Sequence, residues 1–267
     1  LSKKINSKEW KPDFGNAFNK KSGATAIGVR DFLIAYNINL NTKSTRLANA
    51  IAFDVREKGR IKRKGHPVIG EIVYDKDGNP DTIPGSLKHV KAIGWYIEEF
   101  GIAQISMNLT NITKTPIHTV FEEVVKKANA RGASVTGSEL VGLIPLKSMI
   151  DAGKYFLKKQ NRSIGIPEVD IIKIAIESLG LNQLKDFNPT KNIIEYYLDK
   201  ITNKNGNLID LSSRSFSDEV SRETPSPGGG SVSSYVGALG TSLAGMVANL
   251  SCNTRGWENK VEIFSAK

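Results

Sequence analysis

Residues 31–40 alternate, most cleanly from Tyr36 to Leu40. Phe32, Ile34, Tyr36, Ile38 and Leu40 share one face and Asn37 and Asn39 the other, which predicts a half-buried β-strand. A helical stripe follows in Leu47, Ala50, Ile51 and Val55, with cap candidates in residues 41–44 and Gly59 as the stop. Residues 91–98 and 102–110 read as two strands joined by a tight Glu-Phe-Gly turn. The next helix is bounded by Thr115 as N-cap, Pro116 at the first position and Gly132 at the end. Its stripe is Ile117, Val120, Phe121, Val124 and Ala128, and Lys126, Lys127 and Arg131 sit at its negative end. A short strand at 133–136 completes the order β-α-β-β-α-β, the signature of a ferredoxin-like α+β fold: a four-stranded antiparallel sheet with both helices on one face.

Around this frame, residues 60–88 read as an inserted ribbon, with a strand over 68–74, turn chemistry at 77–80 and an end at Ile83, Pro84 and Gly85. Helices near 146–159 and 167–179 extend the sheet domain, and residues 193–198 are expected to close it as a strand. Residues 1–24 are polar with isolated aromatics at Trp10, Phe14 and Phe18, which predicts an ordered connecting segment. Residues 199–212 are a polar linker. Beyond it, residues 216–223 and the run Gly228, Gly229, Gly230 and Ser231 introduce a second, all-helical unit. Val232, Tyr235, Val236, Leu239, Leu243, Met246, Val247 and Leu250 recur there at helical spacing, and Ser233, Gly237, Thr241 and Gly245 form a small-residue stripe. That stripe also occurs in membrane helices, but the serines, threonine and asparagine among it favour a buried helix of a soluble bundle.

The 267 residues carry a formal net charge of +10, which favours an anionic partner: nucleic acid, a phosphate or a polycarboxylate. The basic residues are dispersed apart from a knot at 60–64, which reads either as a solvated loop or as an anion contact. One cysteine, Cys252, leaves no room for an internal disulfide and fits a reducing, cytoplasmic setting; no apolar signal segment opens the chain. Leu1 in place of Met leads to the expectation that the natural start lies upstream.

Candidate chemistry is sparse. Asp75, Asp77 and Asn79 imitate a calcium loop, but Pro80 replaces its glycine and Ser86 its glutamate, so calcium is rejected. His66, His89 and His118 are scattered; His118, in a first helical turn, suits capping or a surface role better than catalysis. No metal-ligand spacing and no nucleophile–base pair is present. The strand at 102–110 divides Ala103, Ile105, Met107 and Leu109, facing the helices, from Gln104, Ser106 and Asn108. With Asn37 and Asn39 these form a row of uncharged donors and acceptors, either an ordinary solvated face or one wall of a polar ligand cleft. The glycine run before a helix is a generic seat for an anion.

The stretches at 12–15, 22–25, 32–40, 93–96, 103–109, 118–120, 137–145, 193–196 and 227–232, in this order, resemble the formimidoyltransferase-cyclodeaminase family over nearly the whole chain. The resemblance implies a transferase moving a formimino group from N-formiminoglutamate to tetrahydrofolate in histidine breakdown, fused to a cyclodeaminase that closes the product and releases ammonia. It implies a connecting segment at 1–25, the transferase's C-terminal subdomain at 26–198, and the first helices of a truncated cyclodeaminase at 213–267. It places a folate-binding segment on Gly15, Phe18, Lys21, Ser22 and Gly23, one residue shorter here, with Lys20 and Lys21 either meeting folate glutamates or simply exposed. The cleft lining would be Asn37, Asn39, Gln104, Ser106 and Asn108, and the cyclodeaminase loop Gly228 to Ser231. Its partners would be an N-terminal transferase subdomain, the rest of the cyclodeaminase, folate polyglutamate and further copies of itself, with no nucleic acid or membrane. The general acid/base histidine would lie upstream of Leu1 and the cyclodeaminase aspartate beyond Lys267. The expectations are then two incomplete active sites, no transferase turnover by this chain alone, and low order in the last helix. The rival readings are a basic ferredoxin-like RNA-binding module stacking bases on Phe32 and Tyr36, or a stand-alone folate-binding half.

Overall fold

The computed structural model describes residues 11–15, 18–66, 69–202 and 208–265, in two compact units that divide after Asp31. Trp10, Val68 and the middle of the 199–212 linker lie outside the described residues. In the larger unit β1 (Ile34–Leu40), β4 (Val90–Ile97), β5 (Ile102–Leu109) and β6 (Val135–Val141) form one antiparallel sheet in the order β4-β5-β1-β6. With α1 (Thr45–Val55) between β1 and β4, and α2 (Ile117–Asn129) between β5 and β6, the α+β frame is the one the periodicity predicts.

The register explains the core. Tyr36 lies opposite Met107 and Ile38 opposite Ile105, so the apolar parities of both central strands meet α1 and α2 on one face. Tyr36, Ile38, Ile51, Ile105 and Val120 are fully buried there, and each such aliphatic side chain contributes roughly 1.5–3 kcal/mol. The outer edge of β4 is protected by α1: the Asn49 amide accepts from Gly94 N–H and donates to Gly94 O, both at 3.0 Å, as a strand partner would.

Several local expectations are corrected. Phe32 precedes β1 and is 64% exposed, because the alternation continues past the point where β5 has residues left to pair. Thr115 is not the cap of α2: Pro116 occupies that position, and the Thr115 hydroxyl instead donates to Lys88 O at 2.7 Å. The final sheet strand runs to Val141 instead of ending at Thr136. The ribbon pairs at its base, through β2 (Arg60–Ile61) and β3 (Thr82–Ile83), and above them, among the described residues, by single bridges, Arg63 with Ile72 and Tyr74 with Pro80. Its tip is closed by Asp75 Oδ1, which accepts from the backbone of Asp77 and Asn79.

Residues 193–198 are not a strand. Asn188 caps α5 (Pro189–Asn192), and α6 is Ile194–Thr202. Between them Ile193 makes one parallel bridge to Ile144, with Ile144 N–H donating to Asn192 O and Ile194 N–H to Ile144 O. A β-rich composition thus serves a single extended residue at a helix junction.

α3 (Leu146–Lys159) packs against α4 (Glu168–Leu179), with Gly153 at the Ile171 backbone. Beyond the linker, α7 (Ser213–Val220) is capped by the Ser212 hydroxyl, and α8 (Gly229–Cys252) runs unbroken before α9 (Val261–Ser265). α8 is formed through its whole length, anchored where Asn249 bonds Ser163 and Gly165 and where Tyr235 meets Phe216. It is not a buried bundle helix in this chain: Val236, Leu243, Val247 and Leu250 are exposed. Among the described residues no helix is long and apolar enough to cross a membrane.

Candidate functional site

The sheet face opposite the helices carries the amide row, and its two halves differ. Ser106 is half-buried and Asn108 exposed, whereas Asn37 is 4% exposed and Asn39 and Gln104 not at all. The buried half is a chain of hydrogen bonds. Trp95 Nε1–H donates to Gln104 Oε1 at 3.1 Å, and Gln104 Nε2 donates to Asn39 Oδ1 at 2.6 Å. Asn39 Nδ2 then donates to Gln183 Oε1 at 2.6 Å, and Gln183 Nε2 to the Thr136 hydroxyl at 2.9 Å. Glu139 joins from β6, its Oε2 accepting from Asn37 and Gln104 at 3.4 Å each, while Lys185 stands 3.9 Å from its other oxygen.

Local sequence explains how this forms. Asn39 faces Gln104 across β1 and β5, Gln104 faces Trp95 across β5 and β4, and Asn37 faces Glu139 across β1 and β6. Gln183 comes from the loop after α4 and lies over Gly137, where an added Cβ would stand 2.5 Å from Gln183 Oε1. Gly137 is therefore the absence that lets the loop lie on the sheet. Asn37, Asn39 and Gln104 have their mutual bonds already made and hold Trp95 and Glu139 in fixed positions, while Ser106 and Asn108 stand outside the chain of bonds.

Beside the network the same face is apolar and open. Ile93 is 54% exposed, Trp95 42%, and Val141 is exposed at the far strand. A surface with an indole and an isoleucine next to fixed amide dipoles suits a planar ligand with a polar edge. The central strands β1 and β5 present no aromatic on this face, because Tyr36 is fully buried toward the helices.

Trp95, Thr136, Glu139 and Gln183 were missed by the sequence reading. The signal for Trp95 and Glu139 was strand parity carried across to β4 and β6; Gln183 had none.

In the smaller unit, Asn19 Oδ1 accepts from Lys21 and Ser22 N–H at 2.8 and 3.0 Å, and Gly23 N–H donates to Asn19 O at 2.8 Å. Gly15 and Gly23 have φ of +81° and +71°, Phe18 is half-buried, and Lys20, Lys21 and Ser22 are exposed. Residues 16 and 17 of this segment lie outside the described residues. In the larger unit, Gly228 caps α8 without a side-chain bond, and Gly229 and Gly230 begin it rather than precede it. A Cβ on Gly229 or Gly230 would meet nothing within 4 Å. Ser231 borders a groove of about 320 Å³ with Leu208, Phe216 and Tyr235.

His118 stacks on Tyr155, ring centroids 4.5 Å apart, with its Nδ1 buried and unpartnered among the described residues. Burial pushes its pKa down, against the opposing pull of Asp151 and Glu122. The unfolded chain then takes up this proton first, so the folded state is expected to lose stability as pH falls through the ordinary histidine range, levelling off below the lowered folded value. Urea midpoints of the chain and of His118→Gln between about pH 7.5 and about pH 5 check this. The variant's midpoint should fall less over that window, and parallel curves would refute the assignment.

Residues 35–199 match the family model described as "Formiminotransferase domain", and residues 212–266 the model described as "Formiminotransferase-cyclodeaminase". The chain is 41% identical over 259 residues to formimidoyltransferase-cyclodeaminase of Gallus gallus, covering 97% of this chain and 44% of that protein. It is 41% identical over 248 residues to the Dictyostelium discoideum protein of the same name, covering 92% and 42%. It is also 38% identical over 177 residues to glutamate formimidoyltransferase of Thermoplasma acidophilum, covering 66% and 49%. The chain spans less than half the length of these curated relatives.

Proposed function

The chain belongs to the formimidoyltransferase-cyclodeaminase family, and from that premise we propose that its sheet domain is one wall of a folate-dependent formimidoyltransferase cleft. The donor would be N-formiminoglutamate and the acceptor tetrahydrofolate, the reaction belonging to histidine breakdown. A second transferase subdomain would supply the facing wall, and residues 212–266 would contribute the beginning of a fused cyclodeaminase with the glycine loop Gly228–Ser231 at its entrance.

The observation carrying this reading is the face itself: exposed Trp95 and Ile93 beside a buried, fully connected amide network. Tetrahydrofolate carries a planar pyrimidinone ring with hydrogen-bonding edges, fused to a reduced ring, and the chemistry of these residues fits it. Trp95 and Ile93 would cover the ring system and exclude water, while Ser106 and Asn108, which sit at the open end of the row, would bond its polar edge. Glu139 is committed to Asn37, Gln104 and Lys185, so its part is to orient the amides, not to move a proton. Within the smaller unit by itself, Lys20 and Lys21 are exposed on the Asn19–Gly23 turn, a chemistry that suits an anionic glutamate. Further copies of the chain and a cytoplasmic location complete the reading.

Calorimetric titration of the chain with tetrahydrofolate tests it. Saturable binding is expected, weakened about tenfold or more in Trp95→Ala. Absence of saturation, or affinity unmoved by that substitution, would overturn it.

A further inference from the structure

A groove of about 630 Å³ lies between α1 and the base of the ribbon, on the helix side of the sheet and away from the amide network. Arg46, Asn49, Ala50 and Phe53 fall at i, i+3, i+4 and i+7 of α1 and form one wall. Arg60, Ile61 and Arg63 of the ribbon form the other, and Arg56 closes the end. Among the described residues four arginines line this space and no Asp or Glu does.

Their partners are mostly neutral. Arg56 Nε–H donates to Gly59 O at 2.8 Å, with its guanidinium 3.9 Å above the Phe53 ring. Arg63 donates to Gly70 O at 2.8 Å. Arg60 donates to Ala50 O and pairs with Asp54, a carboxylate that also serves Arg131. Arg46 has no polar partner among the described residues. Each guanidinium carries five donors, so most remain unspent while backbone carbonyls already fix three of the four side chains. Burial also lowers the pKa of Arg56, the mark of a cation desolvated without a counter-charge.

We propose that this groove binds a small molecule carrying a polyphosphate, with the arginines taking the phosphates and Phe53 and Ile61 providing an apolar floor. Like charges gathered in one groove repel, and an anion relieves that repulsion. Guanidinium forks match phosphate oxygens in bidentate geometry, and several adjacent cations select several adjacent anions over one. The volume is that of a small-ligand site. An extended nucleic acid would need a long continuous positive track; beside the groove Lys62 is instead tied to Asp81 at 2.9 Å. The phosphates come either from a nucleotide, whose base would use the Arg56–Phe53 stack, or from a free polyphosphate. The proposal does not depend on the folate reading.

The test is calorimetry on the full chain with ATP, inorganic tripolyphosphate and a single-stranded RNA of about fifteen nucleotides. Both small anions are expected to saturate, and Arg46→Gln together with Arg63→Gln should weaken them about tenfold or more. Arg46→Gln alone, at an exposed side chain without a partner, should give a smaller loss with an unchanged urea midpoint. ATP binding tighter than tripolyphosphate supports the nucleotide source, and equal affinities support free polyphosphate. No saturation by either anion, affinity indifferent to the arginine substitutions, or saturable binding of the RNA alone overturns the proposal.

Discussion

Gly94→Ala is expected to cost the chain about 3 kcal/mol or more, at the upper end of what overpacking does. β4 turns Val90, Ala92 and Gly94 toward α1, a series in which the side chain shrinks to nothing where the helix comes nearest. An added Cβ would penetrate Asn49 N and the Ala48 carbonyl carbon, and would stand 2.7 Å from Ala48 Cβ. Two of these three are backbone, which no rotamer change can move aside. Relief requires sliding α1 off the sheet, and that breaks both Asn49 bonds to Gly94 and uncovers Ala48, Ile51, Ala52 and Val55. Asn49→Ala is the informative comparison: it loses the two hydrogen bonds without the collision and is expected to cost about 1–2 kcal/mol. Urea unfolding with unchanged m-values separates the two, and a Gly94→Ala cost no larger than that of Asn49→Ala would show that the helix has room to move. Because Gly94 lies between Ile93 and Trp95, a tolerated shift of β4 would also carry the open face with it.

That contact marks the limit of what the sequence makes legible. Strand alternation in β1 and β5 and the stripes of α1 and α2 are local, and they were sufficient for the α+β frame and for the side on which the core lies. The amide row was legible for the same reason, since parity alone separates Asn37, Asn39, Gln104, Ser106 and Asn108 from their apolar neighbours. Its state was not. Asn39 and Gln104 are covered because Gln183, 144 residues from Asn39, folds back over Gly137, and no periodicity encodes a contact of that range. The misassigned strand at 193–198 has a different origin: two isoleucines and two tyrosines carry β-propensity, but Asn188 and Pro189 start a helix just before them, and tertiary pairing of Ile193 with Ile144 takes what strand character remains. Likewise the ribbon was recognisable as an insertion, while the arginine groove at its base required α1 and residues 60–63 to be seen together.

Gln104→Leu is expected to destabilise the chain by about 3 kcal/mol, although it replaces a fully buried polar side chain by an apolar one of similar size. Burial of leucine is favourable by itself; what decides the sign is the set of partners left behind. Asn39 Oδ1 loses its donor in a place water does not reach, and Trp95 Nε1–H and Glu139 Oε2 each lose a fixed bond. Trp95 and Glu139 keep some access to solvent and recover part of that loss, so Asn39 bears most of the cost. Ser106→Ala, on the same strand and the same face but outside the network, should change stability by no more than about 0.5 kcal/mol. Combining Gln104→Leu with Asn39→Leu removes both ends of their 2.6 Å bond, and a double-mutant cycle should return a coupling of about 1 kcal/mol or more. A Gln104→Leu cost equal to that of Ser106→Ala, or additive behaviour of the pair, would mean that the amides are bonded without being coupled. If they are coupled, tetrahydrofolate binding should weaken in Gln104→Leu more than in Ser106→Ala, because the indole that would cover the ligand loses the acceptor that orients it.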